Sequence, residues 1–245
     1  MIAQTLLYLI IGILAGLMSG MFGIGGGSVR IPLLFVAGLP LLSAFGINLF
    51  VIPISSLVGA FSHWKNICWK FLPYILIGAV CGSILGALLA GLLAEFMLAI
   101  LFLIVSLITV FGIYFDRISP KVAQQINPQA GHFIGGTFFI NLIIGMRGGS
   151  GGSLFPSFFR MMKMNIHEAI ATSLFSTIFS AAAAIAIYWY RGNIILVPAF
   201  VVILGSIIGV RLGSIISLKT KPYWLEIGLS GLVIILALIT VYRAI

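Results

Sequence analysis

Read for its polar interruptions, the chain divides into apolar blocks over residues 1–22, 43–62, 71–92, 96–115, 132–146, 168–190, 194–217 and 223–243. A hydrocarbon layer about 30 Å thick needs roughly 20 helical residues per crossing, so most of these blocks predict membrane-spanning helices. Two of them end in glycine where a polar loop would be expected. Gly23-Ile24-Gly25-Gly26-Gly27-Ser28 leads into a short apolar piece, 29–42, with Pro32 and Pro40 near its ends. Arg147-Gly148-Gly149-Ser150-Gly151-Gly152-Ser153 leads into a second short piece, 153–162, carrying Pro156. Each glycine costs a helix about 1 kcal/mol against Ala, so both stretches predict breaks. Non-helical backbone at membrane depth is tolerated only against protein or a water-filled cavity, which marks the breaks as candidate sites.

One long polar stretch, Asp116–Gly131 with Pro120, Asn127 and Pro128, separates two halves, 1–115 and 132–245. The halves correspond. A shift of 124 carries Pro32 onto Pro156, and a shift of 125 carries Asn48-Leu49-Phe50 onto Ser173-Leu174-Phe175. A shift of 127 carries Gly78, Gly82 and Gly86 onto Gly205, Gly209 and Gly213. The sequence therefore predicts an internal duplication. Gly12, Gly16 and Gly20 add another small-xxx-small face. Such faces serve packing within a chain and contacts between copies in a homodimer, and both readings stand.

Loop charge tests how the halves are oriented. If each broken element crosses the membrane, loop cations divide six against four. If each turns back, Lys65, Lys70, Arg117, Lys121, Arg160, Lys163, Lys219 and Lys221 share one face, with Arg191 and Arg243 opposite. Cytoplasmic loops are enriched in Lys and Arg, so the second arrangement is favoured and puts the 116–131 linker in the cytoplasm. The expected fold is an all-α polytopic membrane protein of two pseudo-symmetric, inverted repeats. It has about seven to eight hydrophobic helices and two Gly-rich broken or re-entrant elements.

Composition agrees: 245 residues, 62% hydrophobic and 7% charged, with a formal charge of +9. The cations serve topology and anionic headgroups, so the lipid bilayer is the expected partner and nucleic acid is not. Residues 1–22 lack a charged leading region, so they read as a membrane segment and not as a cleaved signal. Cys68 and Cys81 have neither CxxC nor metal-ligand spacing, and His63, His132 and His167 are scattered. No metal, cofactor or catalytic grouping is expected, and the chain does not read as an enzyme.

A glycine run exposes successive backbone N–H groups, and the start of the following helix adds partial positive charge. Gly25, Gly26, Gly27 and Ser28 in the first break, with Gly149, Ser150, Gly151, Gly152 and Ser153 in the second, are thus candidate substrate ligands. Ser28 and Ser153 stand where a hydroxyl caps a helix or meets a ligand. Arg147 opens the second break, and an arginine at the bilayer centre costs about 2.5–3.5 kcal/mol unless it meets a cavity or partner. Arg30 and Arg211 read as structural or interfacial. With only Glu95, Asp116, Glu168 and Glu226 as acids, all near segment ends, the substrate is expected to be a small anion. Asn48, Thr172 and Ser173 on neighbouring helices complete the candidate pocket, with Asn141 close by.

At Gly23–Pro32, and more weakly at Ala169-Ile170-Ala171-Thr172-Ser173-Leu174, the sequence resembles the TauE/SafE family of membrane transporters over essentially its whole length. Arg147 and Ser150 depart from that family's pattern. The resemblance implies a transporter of small sulfur-containing or organic anions, such as sulfite, sulfonates or sulfoacetate, in the cell (inner) membrane, with no bound cofactor. A passive anion channel on the same architecture, and a sulfur-transfer protein using Cys68 or Cys81, are the alternatives.

Overall fold

In the computed structural model, residues 2–22, 26–62, 64–118, 128–149, 154–217 and 222–244 are described. They form α1 (Ile2–Phe22), α2 (Gly27–Val36), α3 (Leu41–Ser62), α4 (Leu72–Ala90) and α5 (Glu95–Ile118). The second half contributes α6 (Ala130–Met146), α7 (Phe155–Met161), α8 (Ile166–Tyr190), α9 (Leu196–Ser217) and α10 (Pro222–Ala244). Much of the predicted linker, 119–127, lies outside the described residues, and α5 and α6 each run two or three residues into its ends. The order of a long helix, a short one and three more long ones occurs twice. The short elements, α2 and α7, have 10 and 7 residues, whereas the long ones have 17 to 25.

The outward faces are apolar. Ile77, Leu85 and Leu88 on α4, Ile100, Ile104 and Leu107 on α5, and Phe200, Leu204 and Ile208 on α9 are all exposed. Water does not tolerate an apolar surface of this extent, but lipid matches it. Among the described residues, α4, α8 and α9 carry apolar stretches long enough to cross a bilayer (Leu72–Ala90, His167–Tyr190 and Leu196–Gly213). The protein is a polytopic, all-helical membrane protein.

The glycine triplets explain how the halves hold together. A Cβ built on Gly78, Gly82 or Gly86 of α4 would stand 2.2 to 2.4 Å from the carbonyl oxygens of Ile134, Phe138 and Leu142 on α6. On Gly205, Gly209 or Gly213 of α9 it would stand 2.1 to 2.4 Å from those of Leu9, Ile13 and Leu17 on α1. Only glycine lets two backbones approach so closely, and close approach is what stabilises helix pairs in lipid. Both series ascend together, so α4 runs parallel to α6 and α9 parallel to α1. Each seam joins one half to the other.

Further contacts orient the remaining helices. Gly46 near the start of α3 lies against the Asn193 carbonyl just beyond α8, and the turn after α3 meets α8 near its start, where the Cys68 N–H donates to Thr172 Oγ1 (3.0 Å). Thus α3 and α8 are antiparallel. Glu95 accepts from the Leu41 N–H (2.8 Å), which puts the start of α5 beside the start of α3. Arg243 at the end of α10 donates to the Val36 carbonyl (2.5 Å), which puts that end beside the end of α2. Gly26, just before α2, lies level with Ala15 of α1, so the chain turns back after α1. The starts of α1, α3, α5 and α9 therefore share one face with the ends of α2, α4, α8 and α10. Arg191 and Arg243 lie on this face, and both bond carbonyls at helix ends: Arg191 those of Ala87 and Leu88 (2.6 and 2.7 Å), Arg243 that of Val36. They act as C-terminal caps there, where cations are favoured.

The buried core, built around Phe45, Phe102, Tyr188, Ile31 and Leu34, lies where α2, α3, α5 and α8 converge. The breaks open onto it.

Candidate functional site

The first break ends at Gly26, whose carbonyl accepts from the N–H groups of Val29 (3.2 Å) and Arg30 (2.7 Å) and so starts α2. A Cβ there would stand 2.5 Å from the Ala15 carbonyl oxygen and 3.0 Å from Arg30 Nη2, so glycine lets both approach. Pro32 has no N–H to offer the Ser28 carbonyl, which relaxes the first turns of α2. Ser28 is not a cap, contrary to the sequence expectation. It lies inside the first turn, and its Oγ accepts from Arg147 Nη2 (2.9 Å).

The second break begins with a helix stop. The Gly148 N–H bonds the Gly145 carbonyl (3.2 Å), and the Gly149 N–H bonds that of Ile144 (3.0 Å). Gly148 has φ +65°, the left-handed conformation this closure requires. A Cβ on Gly148 would also strike Phe45. The stop leaves Arg147 as the C-cap of α6, beside the negative end of that helix. It also turns the Gly148 carbonyl toward α3, where Asn48 Nδ2 donates to it (2.8 Å).

Asn48 joins the two breaks. A Cβ on Gly27 would stand 2.7 Å from its Nδ2, and its Oδ1 accepts from Arg30 Nη1 (2.6 Å). Arg30 Nη2 donates to Ser206 Oγ on α9 (3.1 Å). Arg147 Nη1 donates to Ser106 Oγ on α5 (3.4 Å), and its guanidinium lies 5.1 Å from the Phe102 ring centroid. One connected cluster results, with Arg30 and Arg147 only 3% and 4% exposed.

Its electrostatics are one-sided. The hydrogen-bond partners of the two guanidiniums are neutral oxygens, and among the described residues the Nε of each is buried without a partner. Among the described side chains no carboxylate reaches them: Glu95 accepts from Leu41, and Glu168 from Asn165 (3.1 Å). Withdrawing a single charge from water costs several kcal/mol even after relaxation, and neutral hydroxyls offset only part of that. Among the described side chains the cluster's positive charge is thus uncompensated.

Of the residues the sequence points to, Gly26, Gly27, Ser28, Asn48, Arg147 and Gly149 meet here. Gly25, Ser150, Gly151, Gly152 and Ser153 lie outside the described residues. Thr172 is not in the cluster: its Oγ1 accepts the Cys68 N–H and so anchors the α3–α4 turn. Ser173 is buried beside it with no contact to either arginine among the bonds described. Asn141 faces its own helix, donating to the Thr137 carbonyl (3.0 Å). Arg211 is exposed on α9. Sequence reasoning missed Arg30, Ser106 and Ser206. For Arg30 the signal was present, since the shortage of acids that singles out Arg147 applies equally to it. Ser106, which shares the apolar block 96–115 with Thr109, carries no signal of its own.

The cysteines are free and apart, Cys81 exposed on α4 and Cys68 in the α3–α4 turn. Among the described residues no group of three His, Cys, Asp or Glu is placed to hold a metal.

Comparison with known proteins bears on these features. Over residues 8–240 the chain matches the family model described as sulfite exporter TauE/SafE. A Bacillus subtilis protein named "probable membrane transporter protein" is 26% identical over 244 residues, covering 93% of this chain and 96% of the relative. A Methanocaldococcus jannaschii protein of the same description is 37% identical over 81 residues, 30% of this chain and 30% of that protein's length. No solved structure matches. With a family match that takes in both halves, both breaks and both buried arginines, the chain belongs to the TauE/SafE sulfite exporter family of membrane transporters.

Proposed function

We propose that the protein is a secondary transporter, working as an exporter, of small sulfur-containing or organic anions such as sulfite, sulfonates or sulfoacetate. The anion binds between the two glycine breaks near the middle of the membrane. The observation that carries this is the pair of buried guanidiniums, one from each half, with no carboxylate beside them among the described side chains. A cation or a neutral solute would leave that charge uncompensated; an anion completes it. Arg147, Ser28 and Asn48 supply donors, and Gly26, Gly27 and Gly149 let these groups pack closely against backbone.

Alternating access follows from an inverted arrangement of the halves. The α1–α2 element turns back toward one face and the α6–α7 element toward the other, so each break can open its own side of one central site. The face bearing Lys65, Lys70 and Lys163 is cytoplasmic in this reading, with the linker on it. The exceptions, Arg191 and Arg243, are the helix caps.

The test is flux in proteoliposomes together with thermal stability of the purified protein. A bound anion must raise the unfolding temperature, because it binds the folded state alone. Uptake is expected to saturate and to be accelerated by substrate on the trans side. Arg147→Ala is expected to abolish it in protein that still folds. Linear flux with no trans effect would make the molecule a pore, and unchanged flux in folded Arg147→Ala would remove the site.

A further inference from the structure

Arg30 reads from the sequence as structural or interfacial, yet its guanidinium bonds side chains on two other helices, Asn48 of α3 and Ser206 of α9. The geometry points to a two-arginine site for one doubly charged oxyanion, in which Arg30 is a substrate ligand of equal standing to Arg147. This rests on the anion reading above and adds the charge of the ligand.

Ser28 and Arg30 stand two residues apart on α2; Ser28 holds Arg147, and Arg30 holds Asn48. Asn48 in turn holds the carbonyl of Gly148, the residue next to Arg147. The two guanidiniums are thus joined by a short chain of bonds through neutral groups. Each also lies along glycine: a Cβ on Gly26 would be 3.0 Å from Arg30 Nη2, and one on Gly149 would be 3.8 Å from Arg147 Nε. With no side chain on those glycines, each guanidinium packs closely against the backbone of its own break.

Charge counting then selects the ligand. Guanidinium keeps its proton at neutral pH, so the cluster carries two positive charges. A monoanion leaves one of them buried and unbalanced; a dianion leaves none. Donor geometry agrees, because a guanidinium fork matches oxyanions that present two oxygens side by side, and each Nε–H here is unspent. Arg30's neutral partners, Asn48 and Ser206, can hold it in place but cannot neutralise it.

The experiment measures binding to the full purified chain, by thermal shift and calorimetry, of two dianions (sulfate and thiosulfate) and two monoanions (nitrate and methanesulfonate) at fixed ionic strength. Wild type is expected to bind the dianions tighter by about tenfold or more, as one extra charge pair at partly buried depth implies. Arg30→Gln is expected to weaken binding of both classes, dianions far more than monoanions, and so to lose that preference. Arg30→Lys, which retains the charge without the fork, is expected to keep the preference at lower affinity, and it serves if Arg30→Gln does not fold. Equal binding of both classes by wild type, or an intact preference in Arg30→Gln, overturns the two-arginine site while leaving an anion transporter. Binding of neither class overturns both.

Discussion

The molecule contains two glycine seams and two glycine breaks, and the two pairs differ in kind. The α1–α9 and α4–α6 seams match: three glycines at four-residue spacing, each against a carbonyl of a parallel helix, with equivalent depth. The breaks do not match. In the first, the arginine follows the glycines and lies inside α2; in the second, it precedes them and caps α6. The reason is geometric. A seam is made twice, once between α4 and α6 and once between α1 and α9, so the same glycine solution serves both. The centre is made once, where the halves meet, and in the function proposed above a single ligand would read both halves together. Nothing there requires the halves to be alike, only that their contributions sum to one site.

The largest effects should come from the centre, with function and stability moving in opposite senses. Arg147→Met and Arg30→Met each replace a buried charge lacking a counter-charge by an apolar side chain of similar length. Replacing buried ions by apolar groups is often neutral or stabilising by about 1–4 kcal/mol. Each variant is therefore expected to unfold at the same or higher temperature without anion, yet to transport nothing. If stability and transport instead collapse together, the arginines hold the fold and the centre is no ligand site.

The seams should behave as equals. Gly82→Ala and Gly209→Ala place a Cβ 2.2 and 2.1 Å from the facing carbonyl oxygen, so the paired helices must separate. Overpacking of this kind costs about 1–3 kcal/mol, and the two costs should agree. Gly231→Ala on α10, where a Cβ meets nothing within 4 Å, is the control and should gain up to about 1 kcal/mol of helix propensity. Unequal seam costs, measured by thermal unfolding in detergent, would break the correspondence between the halves.

This contrast also explains what the sequence could tell. Helices and seams were legible because they rest on local physics: block length against bilayer thickness, and glycine recurring every fourth residue. The direction of α2 and α7 was legible only indirectly, through which loops carry lysine. The helix stop at Arg147-Gly148-Gly149 was legible as a break, although its orderly closure was not. Least legible was the choice of partners at the centre. Asn48 could be named because an amide inside an apolar block needs a partner, but the same rule also named Thr172 and Asn141. Only the fold shows that Asn48 spends its amide between two breaks, while Thr172 spends its hydroxyl on the backbone of Cys68.

That last distinction yields the smallest and most discriminating effect. Thr172 and Asn48 are both fully buried, both on helices that follow a break, and both candidates from sequence. Thr172→Val keeps shape and removes one acceptor, leaving the Cys68 N–H short of its bond. An orphaned buried donor costs about 1–3 kcal/mol, and the α3–α4 turn lies close to the membrane surface, where water can take over. The expected loss is therefore near the low end, about 1 kcal/mol, with saturable anion flux and its half-saturation unchanged. A shift in half-saturation without loss of stability would move Thr172 into the site, and α8 would then contribute to the centre.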